Sequence, residues 1–152
     1  MAPESVRVAQ ECVEGYLFTR NPDRILILRR PPARGSIWVP VSGKVEPTDA
    51  DFEAALRREL VEETGIDRVE SVTPLDWQVP FDGPDGRTWR LHAFSVALSR
   101  PTDPRLSPEH DAFEWVGPDE AIRRLHYEDN REVVRRLFPD SSERRTAVAG
   151  AP

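Results

Sequence analysis

The stretch Gly43-Lys44-Val45-Glu46-Pro47-Thr48-Asp49-Ala50-Asp51-Phe52-Glu53-Ala54-Ala55-Leu56-Arg57-Arg58-Glu59-Leu60-Val61-Glu62-Glu63-Thr64-Gly65-Ile66 sets the terms for the rest of the chain. Its spacing predicts a helix from about Ala50 to Thr64, capped by Thr48 or Asp49 and ended by Gly65. At about 100° per residue, Phe52, Ala55 and Leu56 share a stripe that faces the protein. The same stripe runs on into Glu59, Glu62 and Glu63, whose separations of three and four residues crowd their carboxylates on one face. These acids also sit at the negative end of the helix dipole, where each is unfavourable by about 0.3–1 kcal/mol. A solvated acidic face is the ordinary fate of a glutamate run, but it does not extend an apolar stripe. A hard divalent cation, which prefers oxygen ligands, relieves the like charge, the wrong helix end and the inward direction together.

Arg58-Glu59-Leu60-Val61-Glu62-Glu63-Thr64-Gly65-Ile66 resembles the R-E-U-x-E-E-x-G-U core of the Nudix box, U being a bulky apolar residue, with every specified position filled. The upstream half departs from the pattern. Fourteen residues separate Gly43 from Arg58 where the family has thirteen, and Asp49 stands in place of the first glutamate. The resemblance implies an α/β fold, a Nudix-type α/β/α sandwich with a mixed β-sheet. It also implies a Mg²⁺-dependent hydrolase (Mn²⁺ as substitute) acting on a diphosphate linkage. By the same resemblance Glu59, Glu62 and Glu63 are metal ligands, one of these or a more distant Glu is the general base, and Arg58 orients a glutamate by ion pairing. Gly43 and Gly65 match the two glycines that shape the flanking loops.

Around this box the chain reads as one domain over residues 1–140 and a small, polar, Ala-rich tail over 141–152, expected to be disordered. β-rich runs are expected at Val13–Phe18, Arg24–Leu28, Trp38–Val41, Val69–Val79, Thr88–Leu98 and Phe113–Val116. A second helix is expected from Gly117-Pro118 to about Leu125, and a third, capped by Asp129, ending near Phe138. Alternating strands and helices call for a mixed sheet with helices on its faces. The formal charge of −6 speaks against a nucleic-acid polymer as partner. The single cysteine excludes an internal disulfide and a multi-cysteine zinc site. Met1–Val8 has no apolar run of a signal peptide, and no segment has the length of a membrane span, so the expected location is the cytoplasm, away from membranes.

Further matches narrow the resemblance. Trp38-Val39-Pro40-Val41-Ser42-Gly43 and Ser107-Pro108-Glu109-His110 before Phe113-Glu114-Trp115-Val116 are similar to the dATP and dihydroneopterin triphosphate pyrophosphohydrolases, as is Asn130-Arg131 opening the last helix. That branch implies Glu109 as a further metal ligand, weighed against an exposed loop acid, and Arg29 as a phosphate contact. Arg30 is expected to be a solvated strand end and His110 a structural hydrogen-bonding residue. Ser42 donates to a phosphate or satisfies its own turn, and Trp38 offers a face to a base or pterin, while Trp77, Trp89 and Trp115 belong to the core or the sheet faces. Arg7 is a further phosphate candidate. The expected partner is a small nucleotide-like molecule, and the expected assembly a monomer or homodimer. The alternatives are a dinucleoside polyphosphate or nucleotide-sugar hydrolase, or a non-catalytic nucleotide-sensing module, which would typically lose box carboxylates.

Overall fold

A computed structural model of the chain describes residues 7–139, and the expected tail at 141–152 lies outside the described residues. The centre of the molecule is β1 (Gln10–Thr19), buried along most of its length. On one side it pairs in parallel with β6 (Thr88–Ala97), which pairs antiparallel with β5 (Ser71–Asp82). On the other side two strands share its edge. β4 (Val41–Lys44) covers Cys12–Gly15, and β2 (Arg24–Arg29) meets only Phe18 and Thr19. β3 (Trp38–Val39) and β7 (Ala112–Val116) both pair antiparallel with β2. The result is a seven-stranded mixed sheet.

Alternation along the strands divides the core between two faces. Val13 and Leu17 of β1 and Leu26 and Leu28 of β2 pack with Ala55, Leu56 and Leu60 of α1 (Phe52–Thr64). Tyr16, Ile25 and Ile27, of opposite parity, pack with Ala121 of α2 (Pro118–Arg124) and with Val133 and Val134 of α3 (Glu128–Leu137). Helices on both faces of a mixed sheet give the expected α/β/α sandwich. Among the described residues no helix is long and apolar enough to cross a membrane.

Several expected boundaries shift for local reasons. Trp38–Val41 is not one strand. Pro40 has no N–H to give a ladder, and the chain changes partner there, from β2 before it to β1 after it. The paired strands β5 and β6 run Ser71–Asp82 and Thr88–Ala97 rather than Val69–Val79 and Thr88–Leu98, with a register shift between Pro74 and Gln78. The first helix starts at Phe52, and its cap is Asp51, whose carboxylate accepts from the Ala54 amide at 2.7 Å. Asp49 instead accepts from the Glu46 amide and binds Arg58. The third helix follows Tyr127 without a side-chain cap, and Asp129 lies in its first turn, where an acid suits the dipole. Gly65 ends α1 in the left-handed region at φ 69°, where a Cβ would be strained.

Candidate active site

α1 carries its acids toward the β4 edge of the sheet. Glu59 and Glu63, one turn apart, are both buried, whereas the side chain of Glu62 is 56% exposed. Glu59 lies so close to β4 that a Cβ added to Gly43 would stand 2.0 Å from its Cδ. This close approach is why a glycine is required there. The Ser42 amide, next along β4, favours the charged form of Glu63.

Arg58 fixes the outer side of this face. Its guanidinium makes a forked pair with Asp49, at 3.0 and 2.9 Å, and donates to the Lys44 carbonyl at 2.9 Å. It also binds Glu59 Oε1 at 2.9 Å and Glu62 Oε2 at 3.2 Å. The hydrogen bonds to Asp49 are the largest cause holding Arg58 protonated beyond its ordinary strength. The Asp49 that replaces a glutamate of the family pattern is thus the anchor of the box arginine. Arg58 thus bridges Asp49 and Glu59, and Glu62 is tied to Arg58 at the exposed rim.

The loop before β7 completes the cluster. The His110 amide donates to the Ser107 carbonyl at 3.2 Å and the Glu109 amide to the Ser107 hydroxyl at 3.3 Å, so Ser107 folds the loop into a tight turn. The Asp111 amide donates to the Arg29 carbonyl at 2.9 Å and anchors the loop to the end of β2. This brings ligand atoms of Glu63, Glu109 and His110 within 4.8 Å of one another. His110 Nδ1 stands 3.7 Å from Glu63 Oε1, and neither His110 Nδ1 nor Glu63 Oε2, both buried, has a hydrogen-bond partner. The expected structural hydrogen bond of His110 is therefore not made, because the ring faces carboxylates beyond hydrogen-bond range.

The electrostatics are those of an unneutralised site. Burial is the largest cause raising Glu63 above the usual carboxylate range, and repulsion from Glu59 and Glu109 adds to it. Burial raises Glu59 as well, against the opposing pull of Arg58. Burial lowers His110 to about 4, helped by the charges of Arg30 and Arg34, so its ring is a neutral imidazole. Clustered carboxylate oxygens, a neutral ring nitrogen and two buried orphaned atoms match the donor set of a divalent cation.

Arg29, Arg30 and Arg34 lie at the end of β2 and in the turn that follows it. Arg29 has the parity of Ile25 and Ile27, which face α2 and α3, and it binds Asp111 at 2.8 Å. Arg30 has the parity of Leu26 and Leu28 on the α1 face, and its charge acts on His110 and on Glu14. Arg34 lies in the 3₁₀ turn Pro32–Arg34. Neither Arg30 nor Arg34 has an ion-pair partner among the described residues. Trp38 packs on the α2–α3 core, and Arg124 lies 4.3 Å and Arg29 5.8 Å from its ring centroid. A base stacked there would share the ring with a guanidinium. Arg7 is exposed, three residues ahead of β1, and has no ion pair among the described residues. Trp77, Trp89 and Trp115 are partly buried on the sheet, as expected.

The family model described as NUDIX domain matches residues 14–137. An octanoyltransferase of Myxococcus xanthus is 40% identical over 121 residues, which cover 77% of this chain and 33% of that protein. The chain thus spans a third of the length of that relative. The bis(5'-nucleosyl)-tetraphosphatase [asymmetrical] of Sus scrofa is 29% identical over 106 residues, covering 64% of this chain and 67% of that one. Among solved structures, the E. coli dihydroneopterin triphosphate pyrophosphohydrolase superposes with a TM-score of 0.75 at 20% identity, covering 89% of this chain and all (100%) of that one, a likeness of fold.

Proposed function

The chain belongs to the Nudix family, and from that membership we propose a divalent-metal-dependent hydrolase that cleaves a phosphoric anhydride bond of a nucleoside or pterin triphosphate, giving the monophosphate and pyrophosphate. The observation that carries the reading is the meeting of buried Glu63, one turn from Glu59 on the same helix, with Glu109 and His110 of the late loop. A protein selected for stability alone would not leave Glu63 Oε2 buried without a partner.

Within this reading Glu59, Glu63 and Glu109 hold Mg²⁺ or Mn²⁺, and Glu62 is the outermost of the proposed ligands. The cation, when bound, screens the diphosphate oxygens and lowers the pKa of water at the site. Arg58 keeps Glu59 in position through the forked pair with Asp49. A glutamate of the cluster takes the proton of the attacking water. Arg30 and Arg34, without an ion pair among the described residues and with charges that act on His110, hold phosphate oxygens, as guanidinium forks do. Arg29, Trp38, Ser42 and Arg7 complete the proposed substrate contacts, with Arg29 already committed to Asp111.

A second reading, a dinucleoside polyphosphate as substrate, is favoured by the name of the Sus scrofa relative. It needs the same cluster and a place for a second nucleoside. Product analysis separates the two. Nucleoside and pterin triphosphates should give pyrophosphate and a monophosphate with higher kcat/KM than diadenosine tetraphosphate. The opposite ranking establishes the second reading, and no turnover of either with Mg²⁺ or Mn²⁺ refutes the hydrolase.

A further inference from the structure

We propose that His110 is itself a metal ligand, so that the cation site combines the carboxylates of Glu63 and Glu109 with one imidazole nitrogen and favours Mn²⁺ or Co²⁺ over Mg²⁺ more than an all-oxygen site does. The inference rests on the metal site of the proposed hydrolase and goes beyond it in the identity of a donor and in metal preference.

Three observations lead there. The side chain of His110 is 5% exposed, and its Nδ1 has no hydrogen-bond partner. That nitrogen is not turned toward the apolar core but stands 3.7 Å from Glu63 Oε1, beside the equally unpartnered Glu63 Oε2. The ligand atoms of Glu63, Glu109 and His110 lie within 4.8 Å of one another. Donors bound to one ion at about 2.0–2.2 Å lie roughly 3–4.4 Å apart, from adjacent to opposite positions. The nitrogen–oxygen separation already falls in that range, and the full cluster needs only a few tenths of an ångström of side-chain adjustment.

A structural role accounts for this arrangement less well. A buried imidazole kept for stability pairs its ring nitrogens with backbone or hydroxyl groups, and the ring of His110 makes no hydrogen bond among the described residues. An N–H at Nδ1 would point at Glu63 from beyond hydrogen-bond range. A lone pair at Nδ1, with the proton on Nε2, would instead be a donor within 4.8 Å of the carboxylate oxygens of Glu63 and Glu109. Imidazole suits first-row transition ions better than Mg²⁺, which keeps to oxygen.

The test uses the full metal-free chain and Mn²⁺ alone, read by electron spin echo modulation, which detects a directly coordinated ¹⁴N. The wild-type protein should show deep ¹⁴N modulation, and His110→Asn should abolish it. Mn²⁺ affinity should fall about 10–100-fold, the scale of disturbing a metal site's immediate surroundings, and Mg²⁺ affinity by much less. His92 is no rival source, since its ring stacks on Phe52 at 3.8 Å and binds Glu11. Bound Mn²⁺ without nitrogen modulation in the wild-type protein, or modulation persisting in a folded His110→Asn, overturns the proposal. The wild-type spectrum decides even where the variant fails to fold. Mn²⁺ bound without nitrogen but with hydrolysis intact sinks this inference alone; failure to bind Mn²⁺ or Mg²⁺ at all sinks the hydrolase reading with it.

Discussion

Two glutamates lie buried on opposite faces of the same sheet, and their surroundings could hardly differ more. Glu14, on the α2–α3 face, accepts hydrogen bonds from the Tyr16 hydroxyl and, at 3.1 Å, from the Asn130 amide, which also donates to Tyr16 at 3.0 Å. Glu63, on the α1 face, has acids for neighbours and an oxygen with no partner. Burial is the leading cause raising both carboxyls above the ordinary range. Depth therefore does not separate structure from function here. The completeness of the hydrogen bonding does: Glu14 ties α3 to the central strand, and Glu63 is left for something the protein must acquire.

The largest test of this contrast is Glu63→Gln. Removing one charge from a crowded apo cluster should leave the metal-free melting temperature equal or higher, while turnover at saturating Mg²⁺ falls roughly 10²–10³-fold, the scale of losing one group that stabilises the transition state. Near-normal turnover would remove Glu63 from the proposed ligands. In the wild-type protein Mg²⁺ or Mn²⁺ should raise the melting temperature by mass action, and in Glu63→Gln this rise should shrink. Calorimetric scans with and without metal check both statements.

Glu14 should answer to pH instead. Its carboxyl is pushed up to about 7 from an ordinary 4.5, so between those values the folded chain holds a proton that the unfolded chain releases. The contribution is thus most favourable below about 4.5 and is lost as pH rises through about 7. A shift of that size corresponds to about 3 kcal/mol once ionisation is complete. Glu14→Gln, which cannot ionise, should differ little from the wild type near pH 4.5 and gain relative stability toward pH 8. Urea midpoints at the two ends of that range measure it. A stability difference that does not change with pH would mean that Glu14 is not the group holding the proton.

How much of this was legible in the sequence follows from distance along the chain. The acids of α1 announced themselves because the penalty they pay is local: three carboxylates at a helix end that disfavours them, just before a glycine that must be left-handed. Gly43 was recognised by resemblance, but the reason for it, contact with Glu59, lies 16 residues away. The Glu14–Tyr16–Asn130 cluster was invisible, because its members are separated by up to 116 positions and the Asn130-Arg131 match said nothing of Glu14 or Tyr16. His110 was visible as a residue, but its nearness to Glu63 was not, since only the folded loop brings its ring there. Arg29 was preferred over Arg30 on resemblance, and the reach of the Arg30 charge to both His110 and Glu14 shows only in the fold.

The two arginines sharpen the contrast at the next scale. Arg30 has no ion-pair partner among the described residues and acts on both His110 and Glu14, whereas Arg29 is held by Asp111 at 2.8 Å. If unpaired charge marks function on this protein, Arg30→Ala should raise KM for a triphosphate by about tenfold or more, equivalent to a charge-assisted contact of roughly 1.5–3 kcal/mol. Arg29→Ala should raise it less and weaken the loop anchored at Asp111. Steady-state kinetics on the two variants decide the order. A larger KM effect at Arg29 would return it to the place the resemblance gave it.

The smallest effect is expected where an acid has a partner and no part in the cluster. Asp51 caps α1 by accepting from the Ala54 amide at 2.7 Å, and it stands at the far end of the helix from Glu63. Its position suits the positive end of the dipole, the reverse of the situation of Glu59 and Glu63. Asp51→Ala should therefore cost about 1 kcal/mol, the usual value of a lost cap, and leave KM and kcat unchanged at a temperature where the variant is folded. Asp49→Ala is the informative neighbour. It frees the guanidinium that positions Glu59, so kcat should fall along with stability, even though Asp49 and Asp51 are two residues apart and chemically identical. Parallel denaturation curves and single-turnover rates for the pair test this. If Asp51→Ala lowered kcat as much as Asp49→Ala, the link from Asp49 through Arg58 to Glu59 would carry no catalytic weight, and α1 would respond to any loosening of its first turn.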